Sequence, residues 1–133
     1  KKIYCLITTM LLLSCAQTRT ENSTTGSKEE VVSLSPLQSN YRLTVNQLAS
    51  LVMSEHGSVG SSSEVAISDS DVLTLVSSDF TYEREPKDGE TGGDAGSRNY
   101  IFKALKTGQA VITARELFRG TVAAEYLLTV VVE

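Results

Sequence analysis

The feature that most constrains this chain is a period-two alternation of apolar and polar residues, which begins at Tyr41 and recurs in short segments. The clearest segments are residues 41–45, 100–104, 110–114 and 126–132. A period of two is that of a β-strand with one buried face, and turn-forming residues separate the segments at intervals of about 8–12 residues. The pattern predicts an all-β fold, an immunoglobulin-like antiparallel β-sandwich of seven to eight strands.

The alternation also predicts which side chains form the core of a domain spanning residues 41–133. We expect the following residues to point inward: Leu43, Val45, Leu51, Val65, Leu75, Phe102, Ile112, Leu128 and Val130. A domain of this size buries a modest core. Its stability would rest on packing alone, because no cysteine lies beyond position 15.

The first 14 residues have the composition of a secretory signal peptide. Lys1 and Lys2 precede an apolar stretch, residues 3–13, that is too short to cross a bilayer as a helix. We therefore predict that residues 1–14 are removed from the mature protein.

The end of this signal resembles the bacterial lipobox. Residues 12–15 read Leu-Leu-Ser-Cys, and the resemblance implies cleavage before Cys15 and attachment of lipid to its thiol. Ala16 follows, where an aspartate would mark retention in the inner membrane, so the resemblance favours a lipid-anchored protein of the outer membrane. The alternative is an ordinary signal peptide followed by a chance cysteine.

Residues 15–40 are interpreted as the lipidated cysteine and a flexible tether. The segment is rich in Ser, Thr, Glu and Lys and has almost no large apolar residue before Val31. Such a composition is typical of a solvated linker.

Charge and residue content exclude several functions. Loss of Lys1 and Lys2 changes the formal charge from −4 to −6, and no basic stripe is present, so we predict no nucleic-acid partner. The single histidine, His56, has no nucleophile motif around it. Zinc would need several His or Cys ligands, and the Asp and Glu residues lack a calcium-loop spacing, so those acids are interpreted as solvating charges.

The sequence thus predicts a monomeric binding module that works by its loops, with no enzymatic activity, no cofactor and no metal. Three turn-rich segments stand between predicted strands. Residues 56–62 read HGSVGSS. Residues 89–96 read GETGGDAG, at the start of the stretch GETGGDAGSRNYIFKALKTGQAVITAREL, and a Phe-Arg-Gly turn follows that stretch at residues 118–120.

These segments, in this order, resemble the chagasin family, the immunoglobulin-fold inhibitors of papain-like cysteine peptidases. The resemblance covers residues 41–133. Gly60 stands at the last Gly of the family's Asn-Pro-Thr-Thr-Gly loop, Gly92-Gly93 precede a Tyr-x-Phe-x-Ala strand, and Arg119 stands at the Arg of its Arg-Pro-Trp loop.

The resemblance implies a membrane-anchored inhibitor whose three loops fill the active-site cleft of the peptidase. The residues it assigns to the peptidase-binding loops are His56, Gly57, Ser58, Val59, Gly60, Gly89, Thr91, Gly92, Gly93, Phe118, Arg119 and Gly120. Ser58 and Val59 replace the two Thr of the first motif, and the third loop has neither Pro nor Trp. The stretch FKALKTGQAVITA is also similar to bacterial Ig-like group 2 domains, so an adhesion or structural module is the alternative.

Overall fold

The computed structural model describes residues 30–85, 87–89 and 91–133. The predicted signal peptide, Cys15 and the tether up to residue 29 lie outside these residues. The described part contains eight strands and one short 3-10 helix, and none of its helices is long and apolar enough to cross a membrane. The elements are β1 (Val31–Leu34), β2 (Asn40–Leu43), β3 (Leu48–His56), the 3-10 helix (Gly57–Val59), β4 (Ser61–Ile67), β5 (Leu73–Tyr82), β6 (Ala95–Ala104), β7 (Gly108–Phe118) and β8 (Thr121–Val132).

The strands form two halves that pack face to face. One half has the order β2-β8-β7-β4, and the other has β3-β6-β5 with β1 on the remaining edge of β3. The halves are joined where His56 of β3 pairs with Ser61 of β4. The all-β, immunoglobulin-like sandwich predicted from the alternation is confirmed, with eight strands.

Two strand pairs correct the prediction of a purely antiparallel sandwich. β1 runs parallel to β3, and β2 runs parallel to β8. The alternation of side chains reports which face of a strand is buried but says nothing about the direction of its neighbour.

The fold also begins earlier than Tyr41, so the part of the predicted tether from Val31 onward was assigned wrongly. Leu34 of β1 is 5% exposed and belongs to the core. The Tyr41 hydroxyl accepts a hydrogen bond from Ser35 N at 2.6 Å and donates one to Ser35 O at 3.0 Å, which fixes the turn between β1 and β2. β1 reads Val-Val-Ser-Leu, which does not alternate apolar and polar residues, so it gives no period-two signal.

The core lies between the two halves and is drawn from both. Six of the expected residues are buried, and Val65 packs against the core while half-buried; the six are Leu43, Leu51, Phe102, Ile112, Leu128 and Val130. The prediction is wrong for Val45 and Leu75, which are 38% and 40% exposed. Val45 lies in the turn between β2 and β3, next to Asn46 with its positive φ of 71°. Leu75 lies on the edge strand β5, directly before a register irregularity.

Candidate functional site

Three loops leave the same end of the sandwich, because β3, β5 and β7 each end there. The first loop is residues 57–60, the second is residues 83–94, and the third is the two-residue turn Arg119-Gly120. We call this end of the domain the loop end. Loops presented by a rigid sheet are the usual place for binding residues.

The first loop is a single 3-10 turn. Gly60 N donates to Gly57 O at 2.9 Å and closes the turn, and Gly60 has a φ of 84°, which favours glycine. Ser58 and Val59 lie at the tip, where Val59 is 46% exposed. The turn therefore presents a short, partly apolar tip to solvent.

Asp94 joins the second loop to the first. Its Oδ2 accepts a hydrogen bond from Ser58 N at 2.6 Å. Its Oδ1 is buried and lies 3.4 Å from Nε2 of His56, which is also 3.4 Å from Gly92 O. The hydrogen bonds from Ser58, and to a lesser degree the nearby imidazole, outweigh partial desolvation and hold the pKa of Asp94 below its ordinary value.

A backbone hydrogen bond joins the third loop to the first. Arg119 N donates to Gly60 O at 2.7 Å. The fit is close, because a Cβ on Gly60 would lie 2.9 Å from Cγ of Arg119. The first loop is therefore held from both sides, and the order across the loop end is second, first, third.

The third loop presents an aromatic and a cationic side chain together. Arg119 and Gly120 have φ of 51° and 79°, the pairing of a two-residue type I′ hairpin turn. The guanidinium carbon of Arg119 lies 5.1 Å from the ring centroid of Phe118, which is 48% exposed. Aromatic and arginine side chains are those most often found as interface anchors.

The remaining predicted loop residues lie on the second loop. Gly89 and Gly92 have φ of 80° and 86°, and a Cβ at either position would meet open space. Thr91 is exposed and Gly93 is half-buried. The structure thus places all twelve predicted residues at the loop end. Hydrogen bonds and close contacts, including the contact between His56 and Asp94, tie together a subset of them: His56, Gly57, Ser58, Gly60, Gly92 and Arg119.

Sequence reasoning missed a buried ionic network beneath these loops. Glu55 is 8% exposed, and its carboxylate accepts hydrogen bonds from Arg98 Nε at 2.8 Å and Arg98 Nη2 at 3.0 Å. Its Oε1 also accepts from Ser63 N at 2.9 Å and Ser63 Oγ at 2.6 Å, and Ser63 Oγ lies 2.9 Å from the Tyr100 hydroxyl. One sequence signal could have revealed this network. Glu55 is a charged residue that follows Ala49, Leu51 and Met53 in the inward-facing positions of β3.

Glu55 and Arg98 both stay charged in this network. Burial raises the pKa of Glu55, but the hydrogen bonds and charge of Arg98 and the hydrogen bonds of Ser63 outweigh it, so the pKa lies below its ordinary value. The hydrogen bonds to Glu55 raise the pKa of Arg98 in turn. Burial raises the pKa of Tyr100, which stays a neutral phenol.

A shallow cavity of about 200 Å³ opens beside this network, between the first loop and the end of β5. Phe80 and Tyr82 meet edge to face in its wall, with ring centroids 5.0 Å apart, and the Arg98 guanidinium carbon lies 5.6 Å from the Phe80 centroid.

Within residues 30–85, 87–89 and 91–133, no group of three or more His, Cys, Asp and Glu is placed to hold a metal ion. The arrangement is suited to presenting a fixed surface to another molecule.

Comparison with known proteins places the fold. No family model matches the chain, and no curated protein matches its sequence. Among solved structures, the cysteine protease inhibitor EhICP2 from Entamoeba histolytica is similar with a TM-score of 0.60 and 16% identity, covering 77% of this chain and 94% of that one. Amebosin is similar with a TM-score of 0.57 and 13% identity, covering 77% and 96%. PbICP-C, solved in complex with falcipain-2, is similar with a TM-score of 0.51 and 10% identity, covering 78% and 90%. At these identities the likeness establishes a shared fold.

Proposed function

We propose that this protein inhibits papain-like cysteine peptidases by placing its three loops in the active-site cleft. The observation that carries the proposal is that the loops are hydrogen-bonded into one edge, from Asp94 through Ser58 and Gly60 to Arg119. The shared fold supports it, since one similar structure is a cysteine protease inhibitor and another was solved in complex with falcipain-2.

The geometry suggests how the loops divide the work. The first loop is central because it is bonded to both others, so it would enter deepest, with the second and third loops on either side of the catalytic cysteine of the peptidase. Glycines at the first and second loops let the backbone approach a cleft closely. Phe118, Arg119 and Val59 would supply the side-chain anchors.

Binding would be noncovalent and would exclude substrate. Loops already held in place lose little conformational freedom when they dock, which favours affinity at an interface of ordinary size. No bond of the inhibitor needs to be cleaved for this mode of action. The protein would therefore act as an inhibitor and not as an enzyme.

The deciding experiment is a titration of papain-like enzymes with purified residues 30–133. We expect stoichiometric, reversible loss of activity and an intact inhibitor by mass spectrometry afterwards. Phe118→Ala should weaken inhibition by at least about tenfold, as truncation of an interface anchor does. The matched control is Leu127→Ala, which removes an apolar side chain that is 57% exposed on β8.

An adhesion or structural module is the second candidate. It is favoured by Ser58 and Val59 at the tip of the first loop and by the absence of Pro and Trp from residues 118–120. If no papain-like enzyme is inhibited at high micromolar concentration, this candidate becomes the better account.

We further propose that the domain is anchored by lipid on Cys15, in the outer membrane. β1 runs parallel to β3, and β3 ends at the first loop, so Val31 lies at the opposite end of the sandwich from the three loops. A chain tethered through residues preceding β1 would leave the loop end facing away from the membrane surface. A peptidase could then reach the loops without contacting the bilayer.

A further inference from the structure

Glu55 is a buried charged side chain that the proposed inhibition does not use directly. Its carboxylate accepts four hydrogen bonds, two from Arg98 and two from Ser63. The surrounding positions of β3 hold core residues, Leu51 and Met53 among them. A charged group at such a position requires an explanation beyond packing.

The partners of Glu55 lie on the strands that carry the loops. Glu55 is on β3, two residues before the first loop, and Ser63 is on β4, three residues after it. Arg98 is on β6, four residues after Asp94 of the second loop. One carboxylate thus fixes the separation of the strands entering and leaving the first loop and of the strand leaving the second.

Stability alone is a weak reason for this arrangement. The Glu55 carboxylate is buried while Arg98 stays half-buried, and desolvation of a buried charge offsets much of its attraction to a partner. What such a pair provides is a geometry defined by several directional hydrogen bonds. Here that geometry lies directly beneath the contact between Ser58 and Asp94.

We propose that Glu55 is a positioning residue for the loop end: by tying β3, β4 and β6 together, it holds the first loop against the second in the free protein. The proposal rests on the proposed function for its effect on peptidase binding. It makes a separate claim about the loops, which holds whether or not a peptidase binds them.

The test compares Glu55→Gln with Glu64→Gln. Gln keeps the shape of Glu55 but turns an N–H group toward the guanidinium of Arg98, so donor faces donor. Glu64 is the matched control, because it is one residue from Ser63 but its side chain is 50% exposed and pairs with Arg115 at 3.1 Å on the outer face. Three quantities are measured on residues 30–133: hydrogen exchange of the Ser58 amide by NMR, the inhibition constant against papain, and the urea midpoint.

We expect Glu55→Gln to speed exchange of the Ser58 amide and to weaken inhibition by about tenfold, mainly through faster dissociation. Glu64→Gln should leave both unchanged. The double variant Glu55→Met/Arg98→Met, which replaces the ion pair by apolar side chains of similar length, should keep the urea midpoint near wild type while losing the same protection at Ser58.

Unchanged Ser58 exchange in both Glu55 variants would overturn the proposal. If Glu55→Gln does not fold, the double Met variant decides. If wild type inhibits no peptidase, the proposed function fails, and the exchange of Ser58 still shows whether Glu55 holds the loops.

Discussion

The backbone N–H of Ser58 donates to Oδ2 of Asp94 over 2.6 Å, and this one contact joins two loops whose residues are 36 positions apart. The Ser58 N–H lies at the start of the 3-10 turn, and the first N–H groups of a helix have no acceptor within the helix. The Asp94 carboxylate supplies the missing acceptor. The tip of the first loop is therefore held by a side chain that belongs to the second.

Removal of this carboxylate should free the first loop without unfolding the domain. We expect Asp94→Ala to weaken inhibition of papain by at least about fivefold, because the loop must then be ordered on binding. The measurement is an inhibition constant at neutral pH. Asp88→Ala, an exposed change in the same loop, is the control. Equal loss in both variants would show that the loop's overall charge matters and the Ser58 contact does not.

Stability and inhibition should change in opposite directions at Arg119. Its φ of 51° costs a residue with a Cβ more than it costs glycine. We expect Arg119→Gly to raise the free energy of unfolding by up to about 1 kcal/mol. The same change should weaken inhibition by about tenfold, since an anchor is lost.

Arg119→Asn tests the contribution of the arginine side chain while keeping the conformation of the turn, because Asn tolerates the left-handed conformation well. It should leave stability within about 0.5 kcal/mol of wild type and still weaken inhibition. Urea unfolding and enzyme titration on the same preparations check both effects. Full inhibition by both variants would remove Arg119 from the anchors.

The lowered pKa of Glu55 predicts how stability depends on pH. Burial raises that pKa, but hydrogen bonds from Arg98 and Ser63 lower it further than burial raises it. As the pH falls, the unfolded chain binds this proton before the folded one, so the stabilisation is present above the ordinary pKa and is lost through the folded pKa.

We therefore expect the free energy of unfolding to fall more steeply in wild type than in Glu55→Gln as the pH drops below the ordinary pKa of glutamate. Urea titrations over a series of pH values measure it. The same curve for both proteins, displaced only in height, would contradict the assignment.

Truncation of Phe102, which is fully buried in the core between the two halves, should lower the free energy of unfolding strongly. Phe102→Ala should cost about 3–5 kcal/mol, from lost burial and the cavity left behind. Leu127→Ala, at a side chain that is 57% exposed, should cost under about 0.5 kcal/mol. Similar urea midpoints for the two variants would mean that the halves do not pack as described.

The lipid anchor is tested at Cys15. When the full chain is expressed in a bacterium that processes lipoproteins, we expect Cys15→Ala to move the protein from the membrane to the soluble fraction. The acylated N-terminal peptide expected in wild type should then be missing by mass spectrometry. Cys5→Ala, inside the predicted signal peptide, should change neither. An unmodified mature N-terminus in wild type would rule the anchor out.

Much of the fold could be predicted because alternation is a local property. Leu43, Leu51, Phe102, Ile112, Leu128 and Val130 are buried as the pattern indicates, since each lies within a regular strand and faces the other half. Val45 and Leu75 are not, because a turn and a register irregularity interrupt the pattern at those points. The position of a turn or a bulge depends on neighbouring strands as well as on the residues themselves.

The sequence by itself determined the β-strands after Tyr41, most of their buried faces and the three turn-rich segments at the loop end. Only the tertiary structure decided that β1 and β2 join the sheets in parallel, that Asp94 reaches Ser58, and that Arg119 N reaches Gly60 O. It also decided that Glu55 is buried and accepts hydrogen bonds from the half-buried Arg98. The reason is physical: periodicity is set by residues one and two apart, whereas these contacts join residues far apart in the sequence that meet only when their strands pair.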